Sequence, residues 1–225
     1  MEASDWVNGK IGKALDFDKV NDYVSIGDPA SGIYDFAGNQ SFTLSAWFRK
    51  PQSSSSATDT IFGKYGDGDG SGYYLTVIDD TNRLDCLTRK GAVPVSSQVV
   101  AISNTAGIVP DDNQWHYLAC TRDANVMTLY YDGVQIKTDT GLGVDARTTS
   151  QLRIGDVAAG NTPFRGTIDE ARIYNRALTP EEIKFLYGIQ PGDAALAIDY
   201  TASPGTHSVR IGTSSGIVET SVICA

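Results

Sequence analysis

Histidine, cysteine and methionine are scarce: the 225-residue chain has two His, three Cys and two Met. The two histidines, His116 and His207, and the cysteines are scattered singly, which is not the spacing of a zinc site. A Ser-His-Asp triad would have to be built around one of those two histidines. No Gly-x-x-x-x-Gly-Lys-Ser/Thr loop is present to cradle phosphates. No apolar run approaches the ~20 residues that a membrane helix needs, so membrane insertion is not expected. The opening residues, Met1-Glu2-Ala3-Ser4-Asp5, lack a basic start and an apolar stretch and read as no signal peptide, which leaves the compartment open. Basic residues are the minority, 18 Lys+Arg against 27 Asp+Glu, for a net charge of −9. Such a surface repels phosphate backbones, so no nucleic-acid partner is expected; it suits soluble partners, neutral sugars or cations. Three cysteines are too few for a disulfide scaffold. Cys86 and Cys120 sit in apolar alternating runs and read as buried free thiols, whereas Cys224 reads as exposed or paired between chains.

What is present is alternation. Hydrophobic residues make up 41% and charged residues 20%, enough apolar surface for a sizeable core. Short runs lie between Gly/Asn/Asp/Ser clusters, among them Ala14–Asp18, Ser41–Phe48, Tyr73–Ile78, Arg83–Arg89, His116–Arg122, Met127–Tyr131, Val134–Thr138 and Thr167–Tyr174. In Ser41–Phe48, Phe42, Leu44, Ala46 and Phe48 share one face, and Thr43, Ser45 and Trp47 the other. Period two excludes a helix there and predicts strands. Asp132-Gly133 joins two runs as a two-residue hairpin turn. The pattern predicts an all-β sandwich or barrel.

One segment breaks the period. Thr179 can cap a short helix, Pro180 is acceptable at its first position, and Glu182 completes a capping box. Ile183, Leu186 and Tyr187 make its apolar stripe, and Gly188 stops it. After Gln190-Pro191-Gly192 the texture changes. Residues 191–225 read as a strand (Ala195–Thr201) and a hairpin with arms Ser208–Thr213 and Ile217–Cys224, too small to fold independently. The expected division is therefore 1–190 and 191–225.

Five segments, in order, resemble the laminin-G-like jelly rolls of the concanavalin A-like lectin/glucanase superfamily. They are Gly12-Lys13-Ala14-Leu15-Asp16-Phe17-Asp18 with its continuation to Val24, Ser41–Phe48, Trp115–Ala119, Leu129–Gly133, and Gly166–Leu178 around Ile168-Asp169-Glu170. The resemblance covers roughly residues 6–190. Lys19 departs from it, since the family commonly has glycine there, and a different turn is expected. The resemblance implies a two-sheet antiparallel jelly-roll sandwich with one short C-terminal helix, here with an added β-rich tail.

Fold alone does not settle function, because the superfamily holds glucanases, lectins and adhesion modules. Its catalytic members carry Glu-x-Asp-x-x-Glu or Glu-x-Asp-x-Glu on one strand face, placing two carboxyls across a sugar bond. No such motif occurs here, so the chain reads as no enzyme. Relatives often hold calcium where the first and last strands meet. That implies a calcium cofactor on Asp169 and Asp18 with the Gly38 carbonyl; the competing reading pairs Asp169 and Glu170 with Arg172 or Arg165. Asp67-Gly68-Asp69-Gly70-Ser71-Gly72 copies half an EF-hand loop, but the twelfth position is Ile78 instead of glutamate, so a plain Gly-rich loop competes. Sugar recognition uses exposed aromatics with convergent polar groups, for which Tyr65, Tyr73 and Trp47, with Asp67 and Asp69, are the candidates; core packing competes for each ring. Asn39-Gln40-Ser41 is an N-glycosylation sequon.

The expected function is a non-catalytic extracellular or cell-surface recognition or adhesion module, with glycan or surface-protein partners bound by rim loops such as Pro51–Asp59, Gly66–Gly72 and Ser103–Asp112. The alternative is a structural subunit of a surface appendage or sheath that self-associates through residues 192–225.

Overall fold

A computed structural model of the chain describes residues 5–52, 58–66, 70–78, 83–91, 108, 110–140, 144–158 and 162–188, and the backbone of 99–103, 205–213 and 216–224. The alternating runs become strands: β1 (Trp6–Asn8), β2 (Lys13–Asp18), β3 (Val24–Gly27), β4 (Phe42–Arg49), β5 (Thr58–Gly66), β6 (Ser71–Ile78), β7 (Arg83–Arg89), β8 (Val99–Ser103), β9 (Trp115–Asp123), β10 (Val126–Tyr131), β11 (Val134–Thr140), β12 (Leu152–Ile154) and β13 (Arg165–Tyr174). Helix α1 (Pro180–Gly188) follows, then β14 (Gly205–Thr213) and β15 (Gly216–Cys224). The chain divides into two compact units, Met1–Gly188 and Ile189–Ala225.

In the first unit, seven strands pair in the order β1-β2-β13-β4-β9-β10-β11 and six in the order β3-β12-β5-β6-β7-β8. All their pairings are antiparallel. The second and last strands of this unit, β2 and β13, lie side by side, with Leu15 opposite Ile168 and Asp18 opposite Arg165. The inner faces meet in one core, in which Phe42, Leu44, Ala46, Phe48, Leu118 and Cys120 face Ile61, Tyr73, Leu75, Val77, Leu84 and Cys86. This is the jelly-roll sandwich that the alternation and the resemblance implied.

Cys86 and Cys120 form a disulfide, which corrects the expectation of free thiols. Each is the inward residue of its own strand, on opposite sheets, so the two sulfurs meet across the core. Local alternation reveals burial but not which residue lies opposite in the other sheet.

The Asp132-Gly133 turn has positive φ at both positions, 49° and 75°, as a two-residue hairpin of this kind requires. Lys19 also lies in the left-handed region, at φ 68°. The turn there keeps the conformation that glycine would adopt, contrary to the expected difference. The Lys19 ammonium donates to both carboxylate oxygens of Asp59, at 3.0 and 3.1 Å.

Helix α1 forms as its capping residues dictate. Glu182 N–H donates to the Thr179 hydroxyl at 3.2 Å, and Thr179 N–H donates to the Glu182 carboxylate at 2.9 Å. Its stripe of Ile183, Leu186 and Tyr187 joins Leu178 in covering Trp47, Tyr117 and Tyr130 on the outer face of the seven-stranded sheet.

In the second unit, β14 and β15 pair from Gly205–Cys224 through Thr213–Gly216. The strand expected at Ala195–Thr201 lies outside the described residues.

Candidate functional site

The two outer faces of the sandwich differ. Helix α1 occupies the outer face of the seven-stranded sheet, and Tyr187 stacks on Trp47 with centroids 5.5 Å apart. Trp47 is therefore a buried packing residue, not a sugar platform. Among the described residues, no helix covers the outer face of the six-stranded sheet.

Tyr73, expected as a binding residue, faces inward. It is fully buried against Phe36 and Phe42 and donates its hydroxyl to the Tyr34 carbonyl at 3.0 Å. The reason is parity: Tyr73, Leu75 and Val77 share the core face of β6, which turns Tyr74 and Thr76 outward. The same rule, applied to the sequence, would have selected Tyr74. Tyr65 does lie outward, its ring edge-to-face with Tyr74 at 5.1 Å. Asp67 and Asp69 fall outside the described residues, as do residues 53–57, 104–107 and 109 of the expected rim loops. Ile78, the residue at the would-be glutamate position, ends strand β6.

The residues expected to share a metal do not meet. Asp18 pairs with Arg165, and Asp169 stands four positions further along β13, about 13 Å at strand rise. Asp169 lies opposite Trp47 near the end of β4, whereas Gly38 precedes the start of that strand. The Asp169 carboxylate is already engaged: one oxygen accepts the Ile11 N–H at 2.8 Å, and the other accepts the Glu170 N–H at 2.8 Å. Burial pushes its pKa up, against the pull of those amides and of the Lys10 N–H. It anchors the β1–β2 turn, and a Cβ on Gly9 would come within 2.4 Å of its oxygen. Asp18 accepts the Val20 N–H at 2.7 Å, and Glu170 pairs with Arg172 as the competing reading had it. No group of three His, Cys, Asp or Glu side chains among the described residues could hold a metal ion.

What the six-stranded sheet does bring together is a polar and aromatic face. Register places Arg153, Gly63, Tyr74 and Leu87 in one row across β12, β5, β6 and β7. Gly63 leaves that row without a side chain, because a Cβ there would stand 2.5 Å from the Cβ of Tyr74. On β7 the outward parity selects Arg83, Asp85, Leu87 and Arg89, while Leu84 and Cys86 fill the core. These residues are legible as an alternating run, but nothing local says which face the helix covers.

The polar groups on this face are tied to one another. Arg89 donates from Nε to the Gly91 carbonyl at 3.2 Å and from Nη1 to the Tyr65 hydroxyl at 3.0 Å. Arg83 donates to Asp85 Oδ2 at 2.9 Å. Asp85 is 6% exposed, and its Oδ1 has no hydrogen-bond partner among the described residues. Burial raises its pKa, partly offset by Arg83. Burial also pushes the Tyr74 phenol up to about 12, so it stays a neutral donor. Arg153 lies over the Tyr23 ring at 4.4 Å. The assembly presents two crossed rings beside a guanidinium, that of Arg89, held in place by the Gly91 carbonyl and the Tyr65 hydroxyl.

Gly212-Thr213-Ser214-Ser215-Gly216 spells a nucleophile-elbow pattern. Its flanks are the two strands of a hairpin, not the strand and helix that expose such a serine.

A laminin-G-type profile of the concanavalin A-like lectin/glucanases superfamily matches residues 18–184, and the chain belongs to that superfamily. No curated protein sequence matches it. Among solved structures it is similar to domain 4 of AbnA, a GH43 extracellular arabinanase from Geobacillus stearothermophilus determined in complex with arabinotriose. That match has 26% identity and a TM-score of 0.59, over 81% of this chain and 80% of that one. The binding domain of paraclostridial mosquitocidal protein 1 matches with TM-score 0.64 and 18% identity over 81% of this chain and 44% of that one. The botulinum neurotoxin serotype G binding domain matches with TM-score 0.64 and 17% identity over 91% and 49%. The chain thus spans less than half the length of these two toxin domains, and the likeness to them is one of fold.

Proposed function

We propose that the chain is a non-catalytic recognition module that binds glycans on the outer face of its six-stranded sheet. The observation that carries this reading is the crossed Tyr65–Tyr74 pair flanked by Arg83, Asp85 and Arg89, on the face that helix α1 leaves uncovered. The arabinotriose complex of the similar arabinanase domain supports a sugar ligand. The Cys86–Cys120 disulfide supports an extracellular or cell-surface site of action, since such bonds persist in oxidising compartments. The binding of a surface protein by the same face belongs to this proposal as a variant.

The test is calorimetric titration with hits from a glycan array. Tyr74→Ala should weaken binding at least about tenfold, ~1.4 kcal/mol, at a temperature where its melting curve shows the variant still folded. Full affinity in Tyr74→Ala overturns the assignment of this face. A reducing end released from a bound glycan, and lost on a single Asp or Glu substitution, overturns the non-catalytic reading. The calcium implied by family resemblance is tested separately. A melting temperature that falls on chelation supports a bound ion, because a ligand of the folded state stabilises by mass action; an unchanged curve removes it.

A second reading, a structural subunit assembled through residues 192–225, draws on the C-terminal hairpin. Its strands pair along their whole length and form a sheet of two, and such a hairpin alone is marginal in water. Edge addition to a neighbouring chain would complete it. Chain-like polymers that disappear on deletion of 192–225 support this reading, and a monomer at all concentrations removes it.

A further inference from the structure

We infer that the outer face of the six-stranded sheet selects an acidic oligosaccharide, with Arg89 taking the sugar carboxylate; this rests on the glycan reading above.

The charge distribution points there first. The whole chain carries −9, yet this face presents Arg83, Arg89 and Arg153. The first is paired with Asp85 at 2.9 Å and the third stands 3.9 Å from Asp156. Arg89 has no carboxylate partner among the described residues; its contacts are the Gly91 carbonyl and the Tyr65 hydroxyl. Those two bonds fix the plane of the guanidinium through Nε and Nη1. Nη2 and the second proton of Nη1 are left to an incoming group. A planar fork held in this way matches a carboxylate better than a hydroxyl.

The spacing gives the length. Leu87, opposite Tyr74, precedes Arg89 by two residues on one face of β7, about 7 Å. A ring and a cation at that separation suit neighbouring units of a short chain. One unit lies on Tyr74, and an acidic unit reaches Arg89.

The experiment compares trigalacturonate with its fully methyl-esterified form, in which a methyl group on each carboxyl removes the charge, and with arabinotriose. Isothermal titration is run on the whole chain, on Arg89→Gln and on Tyr74→Ala, with melting curves as the control for folding. The acid is expected to bind at least about tenfold more tightly than the ester. That ratio should collapse to near one in Arg89→Gln and shrink as salt rises. Equal binding of acid and ester, with both lost in Tyr74→Ala, overturns the acidic class and leaves the glycan reading standing. An acid preference that persists in Arg89→Gln overturns the role of Arg89. Binding of none of the three sugars overturns this inference, and a blank glycan array beside it removes the glycan reading as well.

Discussion

Both ring nitrogens of His116 face carboxylate oxygens, Nδ1 at 2.8 Å from Asp132 and Nε2 at 3.1 Å from Asp112. A carboxylate only accepts, so satisfying both contacts requires a proton on each nitrogen. Burial pulls the imidazole pKa down, but the two carboxylates outweigh it and hold His116 above its ordinary value. A histidine shifted upward on folding stabilises the fold fully below its unfolded value, about 6.5, and that contribution fades as pH rises through the folded value. The melting temperature of the protein should therefore exceed that of His116→Gln most at about pH 5.5, and the gap should narrow toward about pH 9. A gap that stays constant would show that the neutral ring suffices. The rest of the lesson at this scale is parity. Tyr73 and Tyr74 are adjacent tyrosines with opposite fates, and only the register of Leu75 and Val77 separates them. The side-chain type carried no information about which ring is available to a ligand.

Helix α1 is the element most fully written in its own residues. Thr179, Pro180, Glu182 and the Ile183-Leu186-Tyr187 stripe lie within a single short segment, and the capping box forms as read. Thr179→Ala should cost about 1 kcal/mol, read by denaturant unfolding. Arg176 and the Thr179 N–H hold Glu182 down to about 2. A carboxylate lowered in this way stabilises the fold above its unfolded value, about 4.5, and loses that contribution as pH falls toward about 2. The pair is solvent-exposed, so the acid effect should be small and should weaken further in salt, whereas the Thr179→Ala loss should not depend on salt. Strand β1 is the opposite case. Trp6–Asn8 is three residues long and exists by pairing with Lys13–Leu15, so its own sequence shows no alternation to read. Hairpin β10–β11 was legible because Asp132-Gly133 names its turn. The non-local crossovers that place β13 between β2 and β4 leave no mark in any one segment and entered only through resemblance.

For the molecule as a whole, the inter-sheet disulfide sets the behaviour. It closes 34 residues of chain, and constraint of an unfolded loop of that size corresponds to about 3–4 kcal/mol. Cys86→Ala together with Cys120→Ala should lower the melting temperature by roughly 10 °C while leaving the proposed glycan binding intact, because neither sulfur reaches the outer face. An unchanged melting temperature would show that the sheets hold together without it. This pairing was the part of the fold least available to sequence reading, since it depends on two strands in different sheets. The same bond decides how the protein behaves under load. Under tension along the backbone, the chain between residues 86 and 120 cannot lengthen while the sulfurs stay joined. Stretched singly in a force spectrometer, the oxidised protein should extend about 120 Å less than the reduced one, the contour of those 34 residues. The loop between the two cysteines stays closed, so even a largely pulled-out chain keeps β7 tethered to β9 as a seed for refolding.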